Sequence, residues 1–177
     1  MKNLRSNILF LPLLALFACA KPLTLVPSAA ERRSTHDSSG HRYAIASPGT
    51  ATGLAAKAIL DQGGNLVDAA VAASFTVSVE RPQSTGLGGG GFMLIRLANH
   101  PEAIAVDFRE QAPLQSTEEM FLDGKKEVVP NLSIDGAKAA GVPGVVAGLL
   151  EVHQKYGKLP LNAVMAPAIT LAEEGFL

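Results

Sequence analysis

The pattern with the most chemical content in this chain is Asp107-Phe108-Arg109-Glu110. One guanidinium follows an apolar run, Ala103-Ile104-Ala105-Val106, and stands between two carboxylates. A guanidinium fork grips a carboxylate through two parallel hydrogen bonds, so Arg109 is the candidate binding residue. An ion pair with Asp107 or Glu110 is the structural alternative. The two carboxylates need not converge, because alternate positions share a face only while a strand persists. Elsewhere the chemistry is sparse. His36, His41, His100 and His153 sit in unrelated contexts, no His/Cys/Asp/Glu group has metal spacing, and there is no Gly-x-Ser-x-Gly elbow. Neither a metal nor a cofactor is expected. His153 lies near the apolar stripe of Val146, Leu149 and Leu150 and reads as a packed residue rather than a base. Asp68, three residues after Asn65, reads as a capping-box acid rather than a catalytic one.

Arg109 must be delivered by its surroundings. Pro82 to Arg96 contains four consecutive glycines, Gly88 to Gly91, followed by Phe92-Met93-Leu94-Ile95. A phosphate loop would need Lys-Ser/Thr after the glycines and would open a helix. Here an apolar run follows, which predicts a buried strand. The glycines then form a tight lead-in with another layer packed on them, or a loop whose bare N–H groups line a ligand site. A polar turn separates this strand from Ala103–Val106. Two adjacent antiparallel strands are predicted, with Arg109 presented at an edge.

The remaining body reads as helices around those strands. Arg42–Ala46 is a first strand, and Ser47-Pro48-Gly49-Thr50 is a turn ending in a helix cap. Ala51–Leu60 is helical, with Leu54, Ala55, Ala58 and Ile59 on one face, and Gly63-Gly64 stops it. Asn65 caps a second helix from Leu66 to about Val79; it is apolar on nearly all sides (Val67, Val71, Phe75, Val77) and should be buried. Ser116 and Glu119 have capping-box spacing for a short helix. Residues 122–138 are a polar excursion with a turn at Asp123-Gly124. A third helix opens around Pro143, placed near its first position, and ends at Gly157. Leu161–Glu174 is a fourth, broken or restarted at Pro167 and capped by Gly175.

The 177 residues carry a net charge of −1 with scattered basic residues, so no nucleic-acid partner is expected. Glycine is abundant at 17, Trp is absent and 47 % of residues are hydrophobic, which suits a packed body rather than a disordered chain. A basic head, Met1–Arg5, precedes an apolar stretch, Ile8–Ala18, too short to span a bilayer. Residues 1–20 read as an export signal. Leu16-Phe17-Ala18-Cys19 resembles a bacterial lipobox, in which Cys19, the chain's single cysteine, is the lipidation site. Ordinary signal cleavage near Ala18-Cys19-Ala20 is the competing reading. Residues 21–41, rich in Pro and Ser, read as a flexible tether. The expected location is periplasmic, with the membrane reached by a lipid anchor only.

Several long segments resemble one family. Gly63-Gly64-Asn65-Leu66-Val67-Asp68-Ala69-Ala70-Val71-Ala72, the Pro82–Met93 loop, Val106–Pro113, Gly141-Val142-Pro143-Gly144, and Tyr156 through Phe176 are similar to the gamma-glutamyltranspeptidases, in order and in register from Tyr43 to Leu177. Leu66 departs conservatively from the more usual Ala. The resemblance implies an α+β N-terminal nucleophile hydrolase, a four-layer α-β-β-α sandwich, of which residues 42–177 would be the N-terminal portion of the large-subunit domain. It also implies a precursor that cuts itself, releasing a small-subunit N-terminal Thr that acts as nucleophile with its own amine as base. The donor would be a gamma-glutamyl amide such as glutathione. The acceptors would be water or amino acids, and Arg109 would hold the donor's α-carboxylate.

No catalytic residue of that family is expected in this chain. Its nucleophilic Thr lies in the downstream small subunit, the obligate partner. Ser34-Thr35-His36-Asp37 is a superficial echo in the tether, with no apolar strand after it. The residues are therefore expected to be inactive alone and to fold poorly without downstream strands. The alternatives are a truncated, non-catalytic lipoprotein remnant or carboxylate-binding module, or a related amide hydrolase of the cephalosporin acylase or poly-gamma-glutamate depolymerase type.

Overall fold

The computed structural model describes residues 38–39 and 42–176. The signal reading, Cys19, the Ser34–Asp37 echo, His41 and most of the expected tether lie outside the described residues. Ser38–Ser39, at the tether's end, form a short strand β1 that pairs antiparallel with β2 (Ala44–Ile45). Four helices follow or flank a second antiparallel pair: α1 (Thr50–Asp61), α2 (Leu66–Glu80), β3 (Phe92–Ile95), β4 (Ile104–Asp107), α3 (Val145–Tyr156) and α4 (Leu161–Glu174).

α2 is the central helix, packed on α1, α3 and α4. Its apolar circumference is why: Val67, Ala69, Val71, Ala72 and Phe75 are all buried. Ile59 from α1, Ile95 from β3, Leu149 and Val152 from α3, and Val164 and Ala168 from α4 complete one core. The predicted α2 capping box forms. The Asn65 side chain accepts from the Val67 and Asp68 amides, and the Asp68 carboxylate accepts from the Asn65 amide at 2.9 Å. α1 ends as predicted, in a Schellman turn. Gly63 has φ 87°, Gly63 N–H donates to Leu60 O, and Gly64 N–H donates to Ile59 O.

Five local expectations are corrected. α1 begins at Thr50 but has no side-chain cap of its own. Glu80, at the far end of α2, accepts from the Ala51 and Thr52 amides at 3.0 and 2.9 Å instead. Its packed face is Thr52, Ala55, Ala56 and Ile59, and Leu54 is exposed; small residues let α1 approach its neighbours closely. The strand β3 is buried on one side only: Met93 and Ile95 face inward, while Phe92 and Leu94 are exposed at 67 % and 76 %. The pair β3–β4 is a two-stranded sheet, and among the described residues no layer packs over that face. No helix follows Ser116 directly; Glu119 makes an exposed ion pair with Lys126 at 2.9 Å instead of a capping contact. The turn at Asp123-Gly124 does form, closed by Asp123 Oδ1 accepting from the Lys125 and Glu127 amides.

The fifth concerns prolines. α3 starts at Val145, so Pro143 precedes its N-cap, Gly144. The cause is tertiary: Gly144 and Val145 both donate their N–H to Gly89 O at 3.0 Å, so a loop carbonyl caps the helix. Pro167 does not break α4, which is one continuous helix through it. Buried Val164 and Ala168 on either side hold the backbone helical despite the missing N–H.

Candidate functional site

Arg109 lies just past the end of β4, where the strand has already lost its partner. β3 and β4 pair in the register Phe92↔Asp107 to Ile95↔Ile104. One further exchange, Phe108 N–H to Gly91 O at 3.0 Å and Gly91 N–H to Phe108 O at 3.3 Å, ties the glycine loop to the strand end. The Arg109 amide then donates to Asp107 Oδ1 at 2.9 Å. Asp107 therefore fixes Arg109's backbone rather than its guanidinium.

The guanidinium pairs with Glu110: Arg109 Nε lies 3.1 Å from Glu110 Oε2. Of the two partners the sequence allowed, Glu110 is the one that engages the side chain. Because the contact uses Nε, the two terminal amino groups make no hydrogen bond or ion pair among the described residues. The Arg109 side chain is 67 % exposed and borders an open groove of about 570 Å³ between the end of β4 and α3. Asp107, Glu110, Gly148 and Glu151 line the same groove. Arg109 can hold a carboxylate through its guanidinium, while Asp107, Glu110 and Glu151 leave the rest of the groove acidic and suited to a cationic group.

The glycine run does pack as a lead-in. A Cβ on Gly90 would lie 2.6 Å from Glu110 N and 2.8 Å from Glu110 Oε2, and one on Gly91 would lie 3.0 Å from Phe108 Cε2. Gly90 thus leaves room for the carboxylate that holds Arg109. The same loop also lines a second groove of about 320 Å³ with Ser74, Ser78 and Thr85.

Two features were not legible in the sequence. Gly148 is buried inside α3, where glycine costs about 1 kcal/mol relative to alanine. That cost was the available signal. The reason lies in Phe108, whose Cβ, Cγ and Cδ1 occupy the space a Gly148 side chain would need. The second is the reach of Asp68. Fully buried, it caps α2 and also accepts from Lys158 N–H at 2.9 Å and Leu159 N–H at 3.2 Å. Nothing near Asp68 in sequence announces partners ninety positions away. His153 is a packed residue, as expected. Its Nε2 is 3.0 Å from Leu159 O and 3.4 Å from Asp68 Oδ1, and its side chain is 11 % exposed. His100 caps an exposed turn through Glu102 O. No cluster of three metal-ligating side chains occurs among the described residues.

Residues 52–177 match the family profile described as Gamma-glutamyltranspeptidase. The chain belongs to the gamma-glutamyltranspeptidase family. It is 48 % identical over 133 residues to the glutathione hydrolase proenzyme of Pseudomonas aeruginosa, which is 75 % of this chain and 24 % of that one. The gamma-glutamyltranspeptidase of Helicobacter pylori superposes with a TM-score of 0.71 at 48 % identity, covering 74 % of this chain and 37 % of that one. The gamma-glutamyltranspeptidase of Pseudomonas nitroreducens, solved with L-DON, superposes with a TM-score of 0.69 at 47 % identity, covering 72 % and 38 %. The chain thus spans about a quarter of the length of that curated relative. Its mixed helices and sheet are part of the α+β N-terminal nucleophile hydrolase fold of this family.

Proposed function

We propose that this protein contributes the donor-binding part of a gamma-glutamyl transferase/hydrolase, in which Arg109 grips the α-carboxylate of a γ-glutamyl compound such as glutathione. One observation supports this above the rest: the side chain is steadied at Nε by Glu110 and is 67 % exposed where Arg109 borders an open groove. A fork held at one end keeps its two-pronged face for a planar anion and loses less freedom on binding.

In this reading the hydroxyl of a threonine outside the described residues attacks the γ-carbonyl and forms an ester. The amine of the donor's remainder leaves with a proton. Water or an amino acid's amine then takes the glutamyl group and restores the hydroxyl. The small subunit supplying that threonine is the partner. The 177 residues alone do not turn donor over. The protein is exported, and Cys19 carries a lipid anchor; mass spectrometry of the mature N-terminus should find an acylated Cys19, and an unmodified N-terminus past Ala20 would refute the anchor.

The test of the binding role is Arg109→Ala in the full-length gene product. Two charge-assisted hydrogen bonds, each worth about 1.5–3 kcal/mol, are lost, so the KM for a chromogenic γ-glutamyl anilide should rise about 100-fold or more. Arg109→Lys should be intermediate, because an ammonium cannot form the paired contact. Parental KM in Arg109→Ala would end the reading, and turnover by the 177 residues alone would end the division of labour.

A further inference from the structure

The aim of Arg109 depends on its backbone as well as on Glu110, because the side chain is 67 % exposed and Glu110 is its one ion-pair partner among the described residues. Phe108, the preceding residue, fixes that backbone from three sides. Gly91 meets one edge of its ring, with a would-be Cβ 3.0 Å from Cε2. Gly144 lies against its carbonyl oxygen, closer than any side chain would permit. Gly148 receives the root of the side chain: a Cβ there would overlap Phe108 Cβ and Cγ and stand 2.6 Å from Cδ1.

Overlap at the root differs from overlap at a side-chain tip. A tip can swing aside, but Cβ moves only with the main chain. Carbon atoms prefer separations of about 3.5–4.0 Å, so a methyl at position 148 would push the end of β4 off α3 by on the order of 1 Å. Arg109 would move with it, since its amide is tied to Asp107 on the same strand. A misplacement of that size at a binding group costs as much as about 100-fold.

We propose that Gly148 is a positioning residue for donor recognition, acting through Phe108 on the direction of Arg109. The inference rests on the reading of Arg109 as the α-carboxylate clamp and adds Gly148 of α3, which lines the same groove, to the machinery that selects the donor. Gly144 and Gly148, one turn apart on α3, then form a seat whose depth sets the position of the guanidinium.

The experiment uses the full-length gene product and the variants Gly148→Ala, Phe108→Leu and Arg109→Ala. For each, kcat and KM are measured with a γ-glutamyl anilide. Inhibition constants are measured for glutamate and for 4-aminobutyrate, which lacks the α-carboxylate. Gly148→Ala should raise KM and the glutamate inhibition constant at least 10-fold, leave kcat within about threefold, and leave 4-aminobutyrate unchanged. Phe108→Leu, which loosens the seat without adding a clash, should shift the same ratio in the same direction. It decides the question if Gly148→Ala does not fold.

Equal losses for glutamate and 4-aminobutyrate, a fall in kcat alone, or parental values in the folded variants would overturn the inference. Arg109→Ala separates the two levels. If it keeps parental discrimination, the clamp itself is wrong. If it loses discrimination while Gly148→Ala and Phe108→Leu retain it, the clamp stands and the positioning role falls.

Discussion

Replacing Asp68 by alanine should be among the most damaging single changes in this chain, although it lies outside the groove. The carboxylate is fully buried, and its two oxygens accept from three backbone amides: Asn65 at 2.9 Å, Lys158 at 2.9 and 3.1 Å, and Leu159 at 3.2 Å. Removing it deletes half of the α2 capping box, a loss of about 1 kcal/mol. It also strands two amides of the α3–α4 turn, at roughly 1–3 kcal/mol each where water cannot reach them. The sum is about 3–7 kcal/mol, enough to threaten a typical domain.

Asp68→Asn is the informative partner. Its single oxygen, placed at Oδ2, still reaches all three amides, but its NH2 then takes the Oδ1 place, 2.9 Å from the donating Lys158 N–H, so it should cost more than charge assistance alone, roughly 2–3 kcal/mol, and still less than alanine. Urea unfolding of the full-length gene product gives both values, and amide hydrogen exchange at Lys158 and Leu159 gives the local share. Alanine within about 1 kcal/mol of the parent, with protection at those amides intact, would refute the account of Asp68 as the clasp between α2 and the α3–α4 turn.

Other outcomes follow from the same contacts. Glu80→Ala removes the acceptor for the Ala51 and Thr52 amides and should cost about 1–2 kcal/mol, with faster exchange confined to the first turn of α1; unchanged exchange there would contradict the capping role. The surface trio Tyr43, Lys57 and Asp61 makes stability depend on pH in a defined sense. Hydrogen bonds from Lys57 and then Tyr43 hold the Asp61 carboxyl below its usual range, and the Asp61 hydrogen bond raises the Lys57 ammonium and the Tyr43 phenol above theirs. A depressed carboxyl stabilises the fold above its unfolded pKa, and that contribution is lost as pH falls through the folded value. The gap in melting temperature between the parent and Asp61→Asn should therefore be small, present at neutral pH, and shrink as pH falls below the usual carboxylate range. A gap that widens on acidification would be the wrong sign.

Much of the scaffold was written locally. Asn65 and Asp68 announce the start of α2, Gly63 and Gly64 the end of α1, and Gly175 the end of α4, because caps and left-handed turns depend on neighbours within a few positions. The strand pair was legible for the same reason: a short turn leaves antiparallel pairing as the simplest path. Two of the misreadings share a cause. Thr50 and Pro143 were judged by nearby residues, whereas Glu80 and Gly89 decided them from a distance. Pro167 is a local matter: Val164 and Ala168, within one turn of it, are buried and α4 stays continuous.

At the site, sequence alone picked out Arg109 by its charge and its place after an apolar run, and family likeness gave it a partner. What it could not specify was the choice of Glu110 over Asp107 for the guanidinium, or the seating of Phe108 on Gly148. Those depend on where α3 lies against the end of β4. That placement comes from a loop carbonyl at Gly89 capping one end of the helix and a buried carboxylate at Asp68 clasping the turn beyond the other. Propensity and spacing act over a few residues, and contacts between segments fifty to ninety positions apart are formed only when the core closes.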